Sequence, residues 1–235
     1  MNFLVTAGNT QSPIDRVRCI TNIFSGRTGA AIARTAWGRG HTVTLATSHP
    51  EGLQEFGVNP KDPGERFTVF PYRTFDDLAL LLQQQLRTVP FDAVCHAAAV
   101  SDYLPAGTFA PDPGTFFNAR LGEWEGQAGP PRLTEQKAGK IKSSEPELWV
   151  RLMRAPKLVD RFRAPWGYGG VLVKFKLEVG IADDELVALA DESRRASGAD
   201  LMVANTLESA AHWAFLGPVE DRYDRVPRRE LSDRL

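Results

Sequence analysis

Apolar runs rich in β-branched and aromatic residues recur along the chain as FLVTA, HTVTLAT, RFTVFPY, FDAVCHAAAV, GVLVKFKL and DLMVANT. Several are continuous rather than alternating, which suits strands covered on both faces and favours a parallel sheet. Between them the period changes to that of helices: residues 28–39 before Gly40, 75–87 with Leu78, Leu81, Leu82 and Leu86 on one stripe, and 184–197 before Gly198. Thr74 with Asp77 predicts a capping box, Asp183 is expected to cap the third helix, and Pro156 is expected to open a short helix. The alternation predicts an α/β fold: a Rossmann-like, doubly wound, mostly parallel sheet with helices on both faces, binding ligands beyond the carboxyl ends of its strands.

Residues 104–139 break the pattern. They are rich in Pro and Gly around the aromatic island FFNARLGEWEG and have no helical period. A long irregular excursion over the binding face, with room for a hairpin, is expected there. The 235 residues suit one sizeable core, so 1–235 is read as a single nucleotide-binding domain carrying this excursion.

Charge and cysteines narrow the functional classes. A formal net charge of −1 gives no bulk attraction to nucleic acid or anionic membrane. The chain opens as MNFLVTAG without a secretory pattern, and no apolar stretch approaches a membrane span, so a cytoplasmic location is expected. Two cysteines, Cys19 and Cys95, supply neither a disulfide framework nor a zinc cluster.

The first strand leads into VTAGNTQSPIDRVRCITNIFSGRTG, where the helix is delayed by a polar excursion. Gly8 stands at the strand end, and Ser25, Gly26 and Gly29 stand where the helix begins. Glycines there suit either close approach of a phosphate to the helix N-terminus or a tight turn packed on the sheet. The G-x-G-x-x-G fingerprint is absent, no acidic residue follows the second strand in LATSHP, and there is no P-loop. In HAAAVSDY, the alanines leave room for a flat ligand to lie on the backbone and Asp102 can accept from ribose hydroxyls; equally, small residues let a helix pack close. His96 reads as a satisfied core histidine. Lys140 and Lys142 lie at the exit of the second excursion, where a lysine can swing over a polyphosphate or remain solvated.

Taken in order, VTAGNTQSPIDRVRCITN, FSGRTGAAIA, AAAVSDY, KIKSS, FKLE and DLMVANTL resemble the phosphopantothenate-cysteine ligase family, in its stand-alone form. The resemblance implies a ligase of coenzyme A biosynthesis that joins 4'-phosphopantothenate to cysteine through an acyl-nucleotidylate and works as a homodimer. By motif, Asn22 matches the asparagine that stabilises the acyl-nucleotidylate, Arg18 the arginine of the same half-reaction, and Lys140 the flap lysine. Ala98 and Ala99 match the alanines lining that site, Asp102 the ribose-binding aspartate, Phe175 the phenylalanine beside the nucleotide, and Ser25, Gly26 and Gly29 the triphosphate loop. Mg2+ is implied as counterion of ATP or CTP, with no protein metal site. Relatives that use CTP carry two lysines where this chain has Ser193 and Ser197, so both nucleotides stay open. The ending RRELSDRL resembles the start of the family's final helix, which suggests a trimmed tail. An NAD(P)-dependent oxidoreductase on the same fold, and a non-catalytic nucleotide-binding relative, are the competing readings.

Overall fold

The computed structural model describes residues 1–235 except Ala138 and Ser143. Two compact units are present: Met1–Thr10, Asn22–Val100 and Lys157–Leu235 make the first, Gln11–Thr21 and Ser101–Pro156 the second.

The first unit is built on an eight-stranded sheet. Its strands are β1 (Asn2–Ala7), β2 (Thr42–Thr47), β3 (Phe67–Pro71), β4 (Ala93–His96), β5 (Val171–Glu178), β6 (Leu201–Thr206), β7 (Trp213–Val219) and β8 (Arg222–Pro227). Spatially they run β3-β2-β1-β4-β5-β6-β7-β8. The first six of these neighbours are parallel and the last two join antiparallel. Strand order therefore reverses between β1 and β4, which is where a doubly wound sheet opens its crevice.

Helices α1 (Arg27–Gly38), α2 (Phe75–Thr88) and α3 (Asp183–Ser197) fall close to their expected positions. Successive residues of β6 show the two faces. Val203 packs in the cluster that holds Ala30, Ile32, Ala33 and Ala36 of α1, while Met202 and Ala204 pack with Leu186 and Ala190 of α3. The doubly wound, mostly parallel architecture is the one the sequence predicts.

Thr74 closes both halves of its capping box with Asp77: its hydroxyl accepts from the Asp77 N–H at 3.2 Å, and the Asp77 carboxylate accepts from the Thr74 N–H at 2.8 Å. Two local expectations are corrected. Ala182, not Asp183, occupies the α3 N-cap; Asp183 lies in the first turn, where its charge meets the positive end of the helix. Pro156 opens no helix, since the short 3-10 turn is Leu158–Arg161, with Lys157 before it. The FDAVCHAAAV run also leaves the sheet early, at His96, so its three consecutive alanines, Ala97, Ala98 and Ala99, lie in a loop.

In the second unit, Gln11–Pro13 pairs antiparallel with Cys19–Thr21, and Tyr103–Pro111 lies between Leu133–Glu135 and Trp149–Arg154 in a three-stranded antiparallel sheet. Thr115–Asn118 and Glu123–Gly126 form a separate hairpin. Phe117, Trp124 and Trp149 bring their rings together at centroid distances of 4.7–5.4 Å, which ties that hairpin to the sheet.

Candidate functional site

The loops that leave β1 and β4 meet at the switch point. After Ala7 the chain turns left-handed at Gly8, with φ 88°. The Gly8 carbonyl then accepts the Ala99 N–H at 2.8 Å, and the Ala99 carbonyl accepts the Thr10 N–H at 3.2 Å. Asn9 and Ala99 form an isolated parallel bridge, so the alanine loop continues the pairing of the two strands past their ends.

Asn22 joins this arrangement directly. Its Nδ2 donates to the Ala99 carbonyl at 3.3 Å, and Nδ2 of Asn9 donates to the Asn22 carbonyl. Asn9 is buried, and its own N–H donates to Oγ of Ser48 at 2.9 Å. Ser48 Oγ also lies 3.1 Å from Oδ1 of Asn9 and 2.9 Å from Nδ1 of His49. A polar frame thus runs from the end of β2 through Asn9 to Asn22 and the alanine loop.

Gly26 is the left-handed N-cap of α1, at φ 80°. A Cβ there would meet the Gly8 nitrogen at 2.4 Å, and one at Gly29 would meet Cβ of Ala7 at 2.7 Å. Both glycines let the start of α1 lie on the backbone at the end of β1. Ser25 is exposed beside them. Among the described residues, Nη1 of Arg228 is a buried nitrogen with no hydrogen-bond partner, while Nη2 donates to Oγ1 of Thr28 in the first turn of α1. That turn carries no acidic residue.

Thr6 and His96 support the floor. Oγ1 of Thr6 accepts the Ala98 N–H at 3.1 Å and lies 2.9 Å from Nδ1 of His96. Burial, with the Lys174 charge adding to it, pushes the imidazole down to about 4. His96 is a neutral core histidine, packed on Phe162 at 5.3 Å. The proton it refuses in the fold is taken up near pH 6.5 once unfolded. The unfolded chain therefore binds more protons between about pH 4 and 6.5, and stability falls as pH drops through that window. His96→Gln should remove about 2 kcal/mol of the loss between pH 7 and 5, measured by urea unfolding at each pH. Equal losses in both proteins would contradict this.

Lys174 of β5 is also buried, and its Nζ donates to the Ser193 carbonyl at 2.8 Å, to Oγ of Ser193 at 2.9 Å and to Oγ of Ser197 at 3.3 Å. The two α3 serines thus hold a lysine from the neighbouring strand. Burial pulls this ammonium down to about 8, with the charges of Lys157 and Lys176 adding to the effect and Asp160 opposing it. Next to it, Phe175 is half-buried and packs into the cluster on the α1 face. Cys95 is buried and its thiol pushed up to about 12, so it is inert.

Arg18, Asp102 and Lys140 belong to the second unit. Asp102 is exposed, and its carbonyl accepts the Ala155 N–H at 2.8 Å. Lys140 is exposed, and the neighbouring Ile141 carbonyl accepts from Nη2 of Arg18 at 2.9 Å. Sequence motifs indicate Asn22, the glycines and the alanines, and Thr6 and Asn9 stand inside the VTAGNTQSPIDRVRCITN motif without being singled out there; Ser48 lies in no motif, because what recruits it is the adjacency of strands. Among the described residues no cluster of three or more His, Cys, Asp or Glu could hold a metal ion, and no helix is long and apolar enough to cross a membrane.

Fold and loops together define an α/β protein of the doubly wound, Rossmann-like class, with its crevice between β1 and β4. Residues 1–110 match the family described as DNA/pantothenate metabolism flavoprotein C-terminal domain. The chain is 31% identical over 237 residues to the coenzyme A biosynthesis bifunctional protein CoaBC of Thermococcus kodakarensis, covering 99% of this chain and 49% of that protein. The chain thus spans about half the length of the curated relatives it matches. In fold it is similar to the DNA/pantothenate metabolism flavoprotein from Streptococcus pneumoniae, with TM-score 0.74 and 24% identity over 99% of this chain and 95% of that one. It is also similar to a Cab2 mutant solved in complex with phosphopantothenate-cysteine, with TM-score 0.69 and 18% identity over 96% and 79%. The family resemblance read from the motifs is borne out by these matches.

Proposed function

We propose that this chain is a phosphopantothenate-cysteine ligase: residues 1–235 act as one ligase domain, cytoplasmic and homodimeric, that joins 4'-phosphopantothenate to cysteine at the expense of ATP or CTP. The observation that carries the reading is the Asn22 amide seated on the Ala99 carbonyl at the switch point, beside the glycine-opened start of α1. The names of the relatives support it, since CoaBC proteins serve coenzyme A biosynthesis and the Cab2 mutant binds phosphopantothenate-cysteine.

An ionised carboxylate is a poor electrophile. Its oxygen attacks the α-phosphorus of the nucleotide, pyrophosphate leaves, and a mixed anhydride forms; the cysteine amine then attacks the acyl carbon and the nucleoside monophosphate departs. Asn22 donates to the anhydride oxygens, and Arg18 offsets the negative charge gathered in the first step. Ala98 and Ala99 form the floor, Gly8 keeps the β1 turn close, and Phe175 lies against the nucleotide. Asp102 takes the ribose hydroxyls and Lys140 follows the phosphates.

The residues present suit a polyphosphate: the orphaned Nη1 of Arg228 and the acid-free first turn of α1 offer positive charge beside Ser25, Gly26 and Gly29. Magnesium, held by phosphate oxygens, would supply further charge neutralisation.

Incubation with phosphopantothenate, cysteine, magnesium and either ATP or CTP is expected to release pyrophosphate with one nucleotide. That nucleotide should also raise the melting temperature by selective binding to the fold. Silence with both in a folded sample overturns the reading, and stabilisation without pyrophosphate identifies a non-catalytic relative. Quenching of nicotinamide fluorescence instead identifies an oxidoreductase.

A further inference from the structure

We infer that Asp15 is a positioning residue that seats the segment carrying Lys140. The inference rests on the ligase reading only for what Lys140 does.

The Asp15 side chain is 1% exposed and collects donors from two stretches of the second unit. Oδ1 accepts the N–H groups of Val17 and Arg18, each at 2.8 Å. Oδ2 accepts Nε of Arg18 at 3.0 Å, Nη2 of Arg18 at 2.6 Å and, from far along the chain, the N–H of Ile141 at 3.2 Å. Two further bonds complete the seam: Nη2 of Arg18 donates to the Ile141 carbonyl at 2.9 Å, and the Arg16 N–H donates to the Gly139 carbonyl at 3.0 Å. Lys140 therefore sits on a stretch whose main chain is gripped on both sides, with the Ile141 side chain buried as an anchor.

A purely local role would end with the first two bonds, in which an aspartate closes its own turn between Gln11–Pro13 and Cys19–Thr21. It accounts neither for the Ile141 N–H nor for the orientation of Arg18, whose guanidinium is split between the carboxylate and the Ile141 carbonyl. Two charge-assisted bonds from one guanidinium to one carboxylate fix direction as well as distance. The Arg18 bonds keep the carboxyl ionised, well below the usual carboxylate range, so at neutral pH both of its oxygens remain acceptors. A lysine that must follow moving phosphates gains from a fixed base and a long flexible stem, because the base sets where the ammonium can reach. Arg18 thereby contributes to the geometry of the Lys140 segment as well as any charge of its own.

Asp15→Asn keeps the shape while removing the charge and one acceptor. Trypsin cleavage of the folded chain after Lys140 and Lys142, followed by mass spectrometry, is expected to speed up about tenfold, with hydrogen exchange at the Ile141 amide rising in parallel. In the pyrophosphate assay, Asp15→Asn should lower kcat about tenfold while the nucleotide KM changes less than about twofold. The double variant Asp15→Asn with Lys140→Met should lose less than the product of the two single losses, since the share of the Asp15 effect that passes through Lys140 has nothing left to act on and only the share that passes through Arg18 remains. Unchanged cleavage and exchange, or additive losses in the double variant, overturn the inference. If the unaltered protein releases no pyrophosphate the ligase reading fails, and the cleavage and exchange arm still decides whether Asp15 holds the segment.

Discussion

Asn22→Asp is expected to lower kcat by about a hundredfold to a thousandfold, the range found when a single preorganised donor is removed from a charged transition state. The substitution changes one atom. The Asn22 amide now donates to the Ala99 carbonyl at 3.3 Å, and a carboxylate in its place has no proton to give. It would aim a negative charge at a carbonyl oxygen and, on the proposed ligase reading, at the substrate carboxylate and the α-phosphate. Two effects therefore add, a lost donor and a new repulsion. The backbone should tolerate the change, because Asn9 holds Asn22 through its carbonyl rather than its side chain. The measurement is initial-rate pyrophosphate release, beside a urea unfolding curve to show that the fold is intact. Turnover within about threefold of the unaltered protein would remove Asn22 from the reacting centre.

What the sequence discloses follows from what each segment buries. The six parallel strands and the three long helices are legible because both sheet faces are covered, which leaves long apolar runs and clear stripes. Their spatial order is not, since pairing is a property of the assembled sheet. The β7–β8 hairpin escapes notice for a local reason. Its two-residue turn, Glu220 and Asp221, is left-handed at both positions, with φ 49° and 62°, a conformation that Asn-Gly or Asp-Gly more often announces. The strands of the second unit hide because they bury little: of its described residues only Ser12, Thr108, Ala110, Ile141 and Ala155 are buried, so no alternation marks them. At the site the same division holds. Asn22, Asn9 and the alanines stand in motifs, whereas Ser48 matters only because β2 lies beside β1.

Gly26→Ala is expected to destabilise the fold by about 2–4 kcal/mol, more than a left-handed backbone alone explains. At φ 80°, an alanine costs roughly 1 kcal/mol in conformation. Crowding comes on top: its Cβ would lie 2.4 Å from the nitrogen and 2.8 Å from Cα of Gly8, both main-chain atoms that cannot rotate aside. Gly8 cannot retreat freely either, because its carbonyl holds the Ala99 N–H, so α1 must lift or the alanine loop must shift. Gly180→Ala separates the two costs. Gly180 is equally left-handed, at φ 68°, but nothing lies within 4 Å of the added Cβ, so it reports conformation alone. Urea midpoints should therefore fall in the order unaltered, Gly180→Ala, Gly26→Ala, with the nucleotide's thermal protection lost only in the last. Equal destabilisation of the two variants would mean that the helix start yields without disturbing the β1 turn, and the close approach of α1 to that turn would then have no energetic weight.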